Sequence, residues 1–93
     1  MDIKKFKEWR DSGDYYKKLT KDSFVIVHDD TVNKPSLGLN IWSTRDIPDE
    51  WLEENQKDYP SLNIQRMKVS DIIDSNDPKF SHVKSVILAD MSK

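Results

Sequence analysis

A helix start set between two strand patterns occupies the middle of this 93-residue chain and restricts its fold more than any other stretch. Leu37, Leu39 and Ile41 alternate with Gly38, Asn40 and Trp42, which is the period of a strand. Asp46 then stands where its side chain can accept from the free N–H groups of a first helical turn. Pro48 in that turn loses nothing by lacking its own N–H. Trp51, Leu52, Asn55 and Tyr59 share one helical face, while Asp49, Glu50, Glu53 and Glu54 lie toward the start and Lys57 near the end, an order that suits the helix dipole. Pro60 closes the helix, because the residue before a proline resists the α conformation. Leu62 and Ile64 resume the strand pattern, but Met67 and Val69 follow on the opposite phase, which predicts a bulge near Gln65-Arg66. A helix between two strands favours a right-handed crossover with parallel pairing, with a long hairpin connection as the alternative.

The flanks are read by asking how they cover this unit. Ile3, Phe6 and Trp9 recur at three-residue spacing, which predicts a helix over 2–11 with those residues on the sheet. Ser12-Gly13 ends it, and Asp14 starts a short second helix through Leu19. Ser23-Phe24-Val25-Ile26-Val27 is a continuous apolar run, read as a buried strand that pairs antiparallel with the Leu37 strand. Ser70 caps a short helix at Asp71-Ile72-Ile73-Asp74, and Ser85-Val86-Ile87-Leu88-Ala89 is a second apolar run, read as a central strand. The fold class expected is α+β: a mixed sheet of about four strands, with the N-terminal helix and the crossover helix packed on it.

Length and composition predict a single domain over 1–93 with a small core, because a short chain buries a modest share of its surface. Three Trp, three Tyr and three Phe argue against disorder in a chain that is 34% charged. The absence of cysteine excludes a disulfide framework, thiolate zinc ligation and a cysteine nucleophile. Met1-Asp2-Ile3-Lys4 does not read as a signal peptide and no apolar run is long enough to span a bilayer, so a cytoplasmic protein without membrane contact is expected. Lys greatly outnumbers Arg and Ala occurs once, a bias that points to an AT-rich genome such as that of a phage or a low-GC bacterium.

The residue types that carry chemistry do not converge in the sequence. His28, Asp29, Asp30 and His82 are the only metal-like set, and neighbours on a strand point to opposite faces. Ser43 or Thr44 with His28, or carboxylates from Asp29, Asp30 and Asp46, lack a spacing that would hold base to nucleophile. With glycine only at Gly13 and Gly38, a phosphate-cradling loop is excluded. No catalytic, cofactor or metal residues are therefore assigned.

The stretch Asn40-Ile41-Trp42-Ser43-Thr44-Arg45-Asp46 before the helix and Tyr59-Pro60-Ser61-Leu62-Asn63-Ile64 after it resembles, in layout, the central strand-helix-strand of thioredoxin-like proteins. It covers about a third of the chain. That family would place a Cys-x-x-Cys pair near Ser43 to Asp46 and a proline near Ser85, and this chain has neither. The resemblance implies a binding fold without redox chemistry, and no site residue is carried over from it.

Two surfaces remain. Nine aromatics exceed what so small a core needs, and Tyr15, Tyr16, Trp42 and Tyr59 are expected near the surface. Glu50, Glu53, Glu54 and Asp58 form an acidic helix face that complements a basic partner. Together they read as a protein-binding surface and the chain as a small interaction module of the inhibitor, immunity or phage-accessory type, not an enzyme. The first alternative is a nucleic-acid contact through Lys4, Lys5, Lys7, Arg10, Lys17 and Lys18, interleaved with Phe6, Trp9, Tyr15 and Tyr16, and a minor one is a small enzyme with no recognisable motif. The first 22 residues carry seven basic and five acidic side chains, a net +2, and Glu8, Asp11 and Asp14 dilute the charge.

Overall fold

Residues 25–27 occupy the centre of the described structure, and the reason is in their chemistry: three apolar side chains in a row can all be buried only if both faces of a strand are covered, while Phe24 before them stays 42% exposed. The computed structural model describes residues 3–11, 18–29 and 38–92, and within the first stretch the side chains of Phe6, Trp9 and Arg10 lie outside the description. The elements are α1 (Ile3–Asp11), β1 (Phe24–Asp29), β2 (Leu39–Ser43), α2 (Asp49–Asp58), β3 (Gln65–Lys68), α3 (Val69–Ile73) and α4 (Ser81–Met91), with 3-10 turns at Pro60–Leu62 and Pro78–Phe80. The described residues form an α+β fold on an open three-stranded sheet of order β2-β1-β3, antiparallel at both pairings.

Val25 and Val27 face one layer, built with Leu19, Leu39, Val69, Ile72, Phe80, Val83 and Ile87, so α3 and α4 cover this side. Ile26 faces the other, with Leu52 of α2 and Ile64. All three β1 residues are fully buried.

The four-stranded mixed sheet is corrected to three antiparallel strands among the described residues, because the run Ser85 to Ala89 is helical. Val83 and Ile87 lie one turn apart and are fully buried, and half-buried Met91 extends their line. Ser81, Ser85, Leu88 and Ala89 look outward. Strand alternation would have put Ile87 and Leu88 on opposite faces of a sheet; the 3.6 period does the same on a helix, and the flanking Val83 decides between them. Pro78 and Asp77 supply the start: Asp77 accepts a hydrogen bond from the Lys79 N–H at 3.0 Å, and the 3-10 turn runs straight into α4.

Strands β2 and β3 both belong to the sheet and α2 joins them, as the strand-helix-strand pattern predicts. They run parallel to each other because each is antiparallel to β1. Direct parallel pairing is replaced by the insertion of β1 between them. The bulge expected at Gln65-Arg66 is absent from β3. Leu62 and Ile64 pack toward α2, and Met67 and Val69 toward α3 and α4, so the change of phase only reflects two buried faces. The irregularity lies instead in β2, where the register passes from Ile41 opposite Val27 to Ser43 opposite Ile26 and leaves Trp42 over. Asp46 does not cap α2, whose first residue is Asp49 after Pro48. The helix expected at 14–19 falls largely outside the described residues, and Lys18 and Leu19 are not helical. The seating of Phe6 and Trp9 also lies outside them, and Ile3 is exposed rather than packed on the sheet.

Gly38 leads into β2 with φ +70, and a Cβ there would stand 2.6 Å from the Lys79 carbonyl oxygen. Only glycine allows the backbone of the Pro78–Phe80 turn this close. Gly38→Ala is expected to cost on the order of 1–3 kcal/mol through the strained conformation and the displaced turn, read as a lower denaturant midpoint.

The helical assignment of α4 makes a second expectation. Ile87→Ala should destabilise by about 2–5 kcal/mol as a core truncation, while Leu88→Ala should fall within about 0.5 kcal/mol of wild type. Equal costs at the two positions in chemical denaturation would contradict this orientation of α4.

Candidate functional site: an aromatic ledge at the end of the crossover helix

The most distinctive surface feature follows from the bulge in β2. A bulge re-aims a side chain, and here it presents Trp42 toward His28 of β1 and Tyr59 at the end of α2. The Trp42 and Tyr59 rings are 5.5 Å apart and tilted by 56°. His28 meets Trp42 edge-on at 5.4 Å and 77°. Both separations fall in the range where ring quadrupoles favour offset or edge-to-face contact.

Tyr59 is held by its backbone. Its N–H donates to the Asn55 carbonyl at 3.0 Å, and its carbonyl accepts from the Leu62 N–H at 3.1 Å. Pro60 begins the next turn, and Asn63 closes that turn with φ 47, a left-handed conformation that asparagine tolerates. Gln56 donates from Nε2 to the Ile64 carbonyl at 2.8 Å, tying the end of α2 to the approach of β3. Tyr59 is thus fixed in place while 48% of it stays exposed. Trp42 is half-buried and packs on the Ile26, Leu52 and Ile64 cluster.

The other end of α2 is fixed by one cation. Arg66 of β3 donates from Nε to Asp46 at 2.7 Å and from Nη2 to the Ile47 carbonyl at 2.9 Å, and pairs with Asp49 at 2.7 Å. The hydrogen bond to Asp46 raises the Arg66 pKa above its ordinary value against the opposing effect of burial. Asp46 also accepts from the Ile47 N–H, which is the role it takes in place of a helix cap. The Ser43 hydroxyl, a candidate nucleophile by residue type, closes the preceding turn: it donates to the Arg45 carbonyl at 2.7 Å and accepts from the Arg45 N–H at 3.1 Å.

The sequence-predicted partner residues separate into groups. Trp42 and Tyr59 come together beside the C-terminal end of α2, Asp58 is the exposed last residue of that helix, and Glu53 and Glu54 are exposed along it. Glu50 is exposed, but it pairs with Lys5 of α1, so the acidic face and the lysine face partly neutralise each other at this point. Tyr15 and Tyr16 lie outside the described residues, as do Lys17 and the Arg10 side chain. Lys4, Lys5, Lys7 and Lys18 are exposed.

His28 was set aside with the metal-like set, and the sequence reading did not connect it with Trp42. Its place on the same face as Ile26 carries the signal, since alternate strand residues share a face. His28 Nδ1 is buried and has no hydrogen-bond partner among the described residues. Among the described residues there is no group of three or more His, Asp or Glu side chains able to hold a metal ion, and no helix is long and apolar enough to cross a membrane.

No family model, curated protein or solved structure matches the chain. The thioredoxin-like layout therefore brings no site with it, and function is argued from the ledge itself.

Because Tyr59 is half exposed and its backbone is held independently of its ring, Tyr59→Ala should cost no more than about 1.5 kcal/mol, the scale of one aromatic pair. Trp42→Ala should cost more, about 3–5 kcal/mol, since it removes packing from the core cluster. Urea unfolding of the two variants checks the order.

Proposed function

We propose that this chain is a small protein-interaction module that acts in the cytoplasm by binding one larger macromolecule stoichiometrically and turning nothing over, in the manner of an inhibitor, an immunity protein or a phage accessory factor. The observation that supports the reading is the half-exposed Tyr59, its ring tilted against Trp42 and set directly after the acidic helix α2. Binding energy in interfaces concentrates in a few aromatic and arginine anchors. A rigid aromatic held before the partner arrives loses little conformational entropy on docking. A chain of this size can offer about 800 Å² to a partner, which is the area one side of a standard interface needs.

Charge gives the partner a sign. Glu53, Glu54 and Asp58 are exposed on or beside the outer face of α2, with Lys57 the one basic residue of that helix. Such a face steers toward a basic surface, as on a nucleic-acid-handling enzyme.

The test is affinity purification from the native cell with wild type and Tyr59→Ala side by side. A protein retained at fixed stoichiometry by wild type and lost with Tyr59→Ala is the expected result. Reversing Glu53, Glu54 and Asp58 to lysine should slow association with that protein and flatten its salt dependence, whereas reversing Lys4 and Lys7 should matter less. Tight oligonucleotide binding at physiological salt, abolished by reversing Lys4, Lys5 and Lys7 alone, would replace this reading with the nucleic-acid one.

A further inference from the structure

Along an antiparallel strand, neighbouring residues turn their backbone groups to opposite sides, so one bond fixes the direction of the rest. The Val69 N–H donates to the Ser23 carbonyl at 2.9 Å, in register with Val25 opposite Met67 and Val27 opposite Gln65. Ser23, Val25 and Val27 thus turn their backbone groups toward β3, and Ile26 and His28 turn theirs toward β2. Asn40, opposite His28, therefore bonds to β1, and the N–H and C=O groups of Leu39 and Ile41 point away from the sheet. The Ile41 N–H agrees with this direction, since it donates to the Asn40 side-chain Oδ1 at 2.8 Å. Past Ile41 the bulge at Trp42 ends the regular edge. The two edges of the described sheet differ in charge. β3 carries Arg66 and Lys68, and cations on an edge strand oppose pairing with another strand. β2 carries no charged side chain, in a chain that is 34% charged.

We propose that the free edge of β2 pairs antiparallel with β2 of a second copy of this chain, around a twofold axis at Asn40. The two outward-facing residues, Leu39 and Ile41, stand symmetrically on either side of Asn40, so this register satisfies both and leaves neither over. Leu39 of each copy then exchanges backbone hydrogen bonds with Ile41 of the other. The Ile41 N–H passes from its own Asn40 side chain to a strand carbonyl, and the released carboxamide meets its counterpart across the axis. Like charges opposite each other destabilise such a pair, and β2 has none, whereas a twofold at β3 would set Arg66 and Lys68 against cations of the second copy. The axis stands perpendicular to the sheet, so both α2 helices and both Trp42–Tyr59 pairs lie on one face of the joined sheet. The inference goes beyond the interaction-module reading and does not require it.

The test is sedimentation of the full chain from micromolar to millimolar concentration, where a monomer–dimer equilibrium is expected. Asn40→Asp keeps an acceptor for the Ile41 N–H but sets two carboxylates on the axis, and Asn40→Lys sets two ammonium groups there. Each alone should weaken dimerisation by at least about tenfold, the effect of like charges brought together in an interface. An equimolar mixture of the two variants should dimerise again, which a merely damaged fold would not do. Urea unfolding of each variant checks that the fold is kept. Asn40→Cys gives a readout independent of charge, because the chain has no cysteine of its own. Residues opposite each other on the axis form a non-hydrogen-bonded pair with Cα atoms about 4.5 Å apart, within reach of a disulfide. Under air with copper phenanthroline this variant should link into dimers, while Leu88→Cys, exposed on α4, should not. A chain that stays monomeric throughout the series overturns the proposal. So does a dimer that both charge variants leave unchanged, or one that links as readily through Leu88→Cys. A dimer lost in Tyr59→Ala and kept in Asn40→Asp also overturns it, since the contact would then lie at the aromatic ledge.

Discussion

The two-sided burial of β1 is the constraint on which the other elements depend. A strand with Val25 and Val27 on one face and Ile26 on the other cannot be stable with either face open. One side requires α3 and α4, and the other requires α2. With β1 in the middle, β2 and β3 become the edges, and the chain must cross from one edge to the other over the α2 face. That path is what places the end of α2 over the same sheet face as Trp42 and His28.

Two local devices keep the crossover in register. Arg66 gathers Asp46, the Ile47 carbonyl and Asp49, so the edge strand β3 holds the start of the helix that leads into it. Gln56 holds the far end through the Ile64 carbonyl. On the opposite face Gly38 lets the Pro78–Phe80 turn close against the entry to β2. Arg66 and Gly38 tie an edge strand or its entry to a segment distant in sequence, and Gln56 ties the end of α2 to the approach of β3 eight residues on. Three short strands need such ties, since a small sheet with two open edges has little pairing energy of its own.

The parts of this design that were legible in the sequence are those where one local pattern had one explanation. The run 23–27 reads as a buried strand, Trp51 reads as inward and is 3% exposed, and the crossover helix is marked by its charge order and by Pro60. The errors come where one pattern admits two periods. Ser85 to Ala89 is too short a run to separate strand from helix, and the deciding residue, Val83, lies outside it. The phase change between Ile64 and Met67 looks like a defect only if one face of β3 is assumed to be solvent. Asp46 and Ser43 have the composition of capping and catalytic residues, but their partners, Arg66 and Arg45, are set by turn geometry and tertiary contact that spacing does not encode. For the candidate site, Trp42, Asp58 and Tyr59 were legible as surface residues. The meeting of Trp42 with His28 and Tyr59 was not, because it depends on a bulge opposite Ile26 and Val27.

The distribution of side chains between core and surface gives the ledge its meaning. Among the described residues the side chains with the least exposure are Val25, Ile26, Val27, Val69, Ile72, Val83 and Ile87, all β-branched and none aromatic. Branched aliphatics fill the thin layers on either side of a strand well, because their shape is compact and their rotamers few. Phe80 and Trp51 join them, but Phe24 and Tyr59 remain 42% and 48% exposed. Aromatic area is costly to leave in water, and the aliphatic layers do not require it at the end of α2. The chain nevertheless fixes Tyr59 there by two backbone hydrogen bonds, backs it with Trp42, and precedes it with a carboxylate that has no ion pair among the described residues. The backbone of Tyr59 is thus fixed while its ring contributes little to the core, and it is on the proposed interaction-module reading that this ring meets a partner outside the molecule.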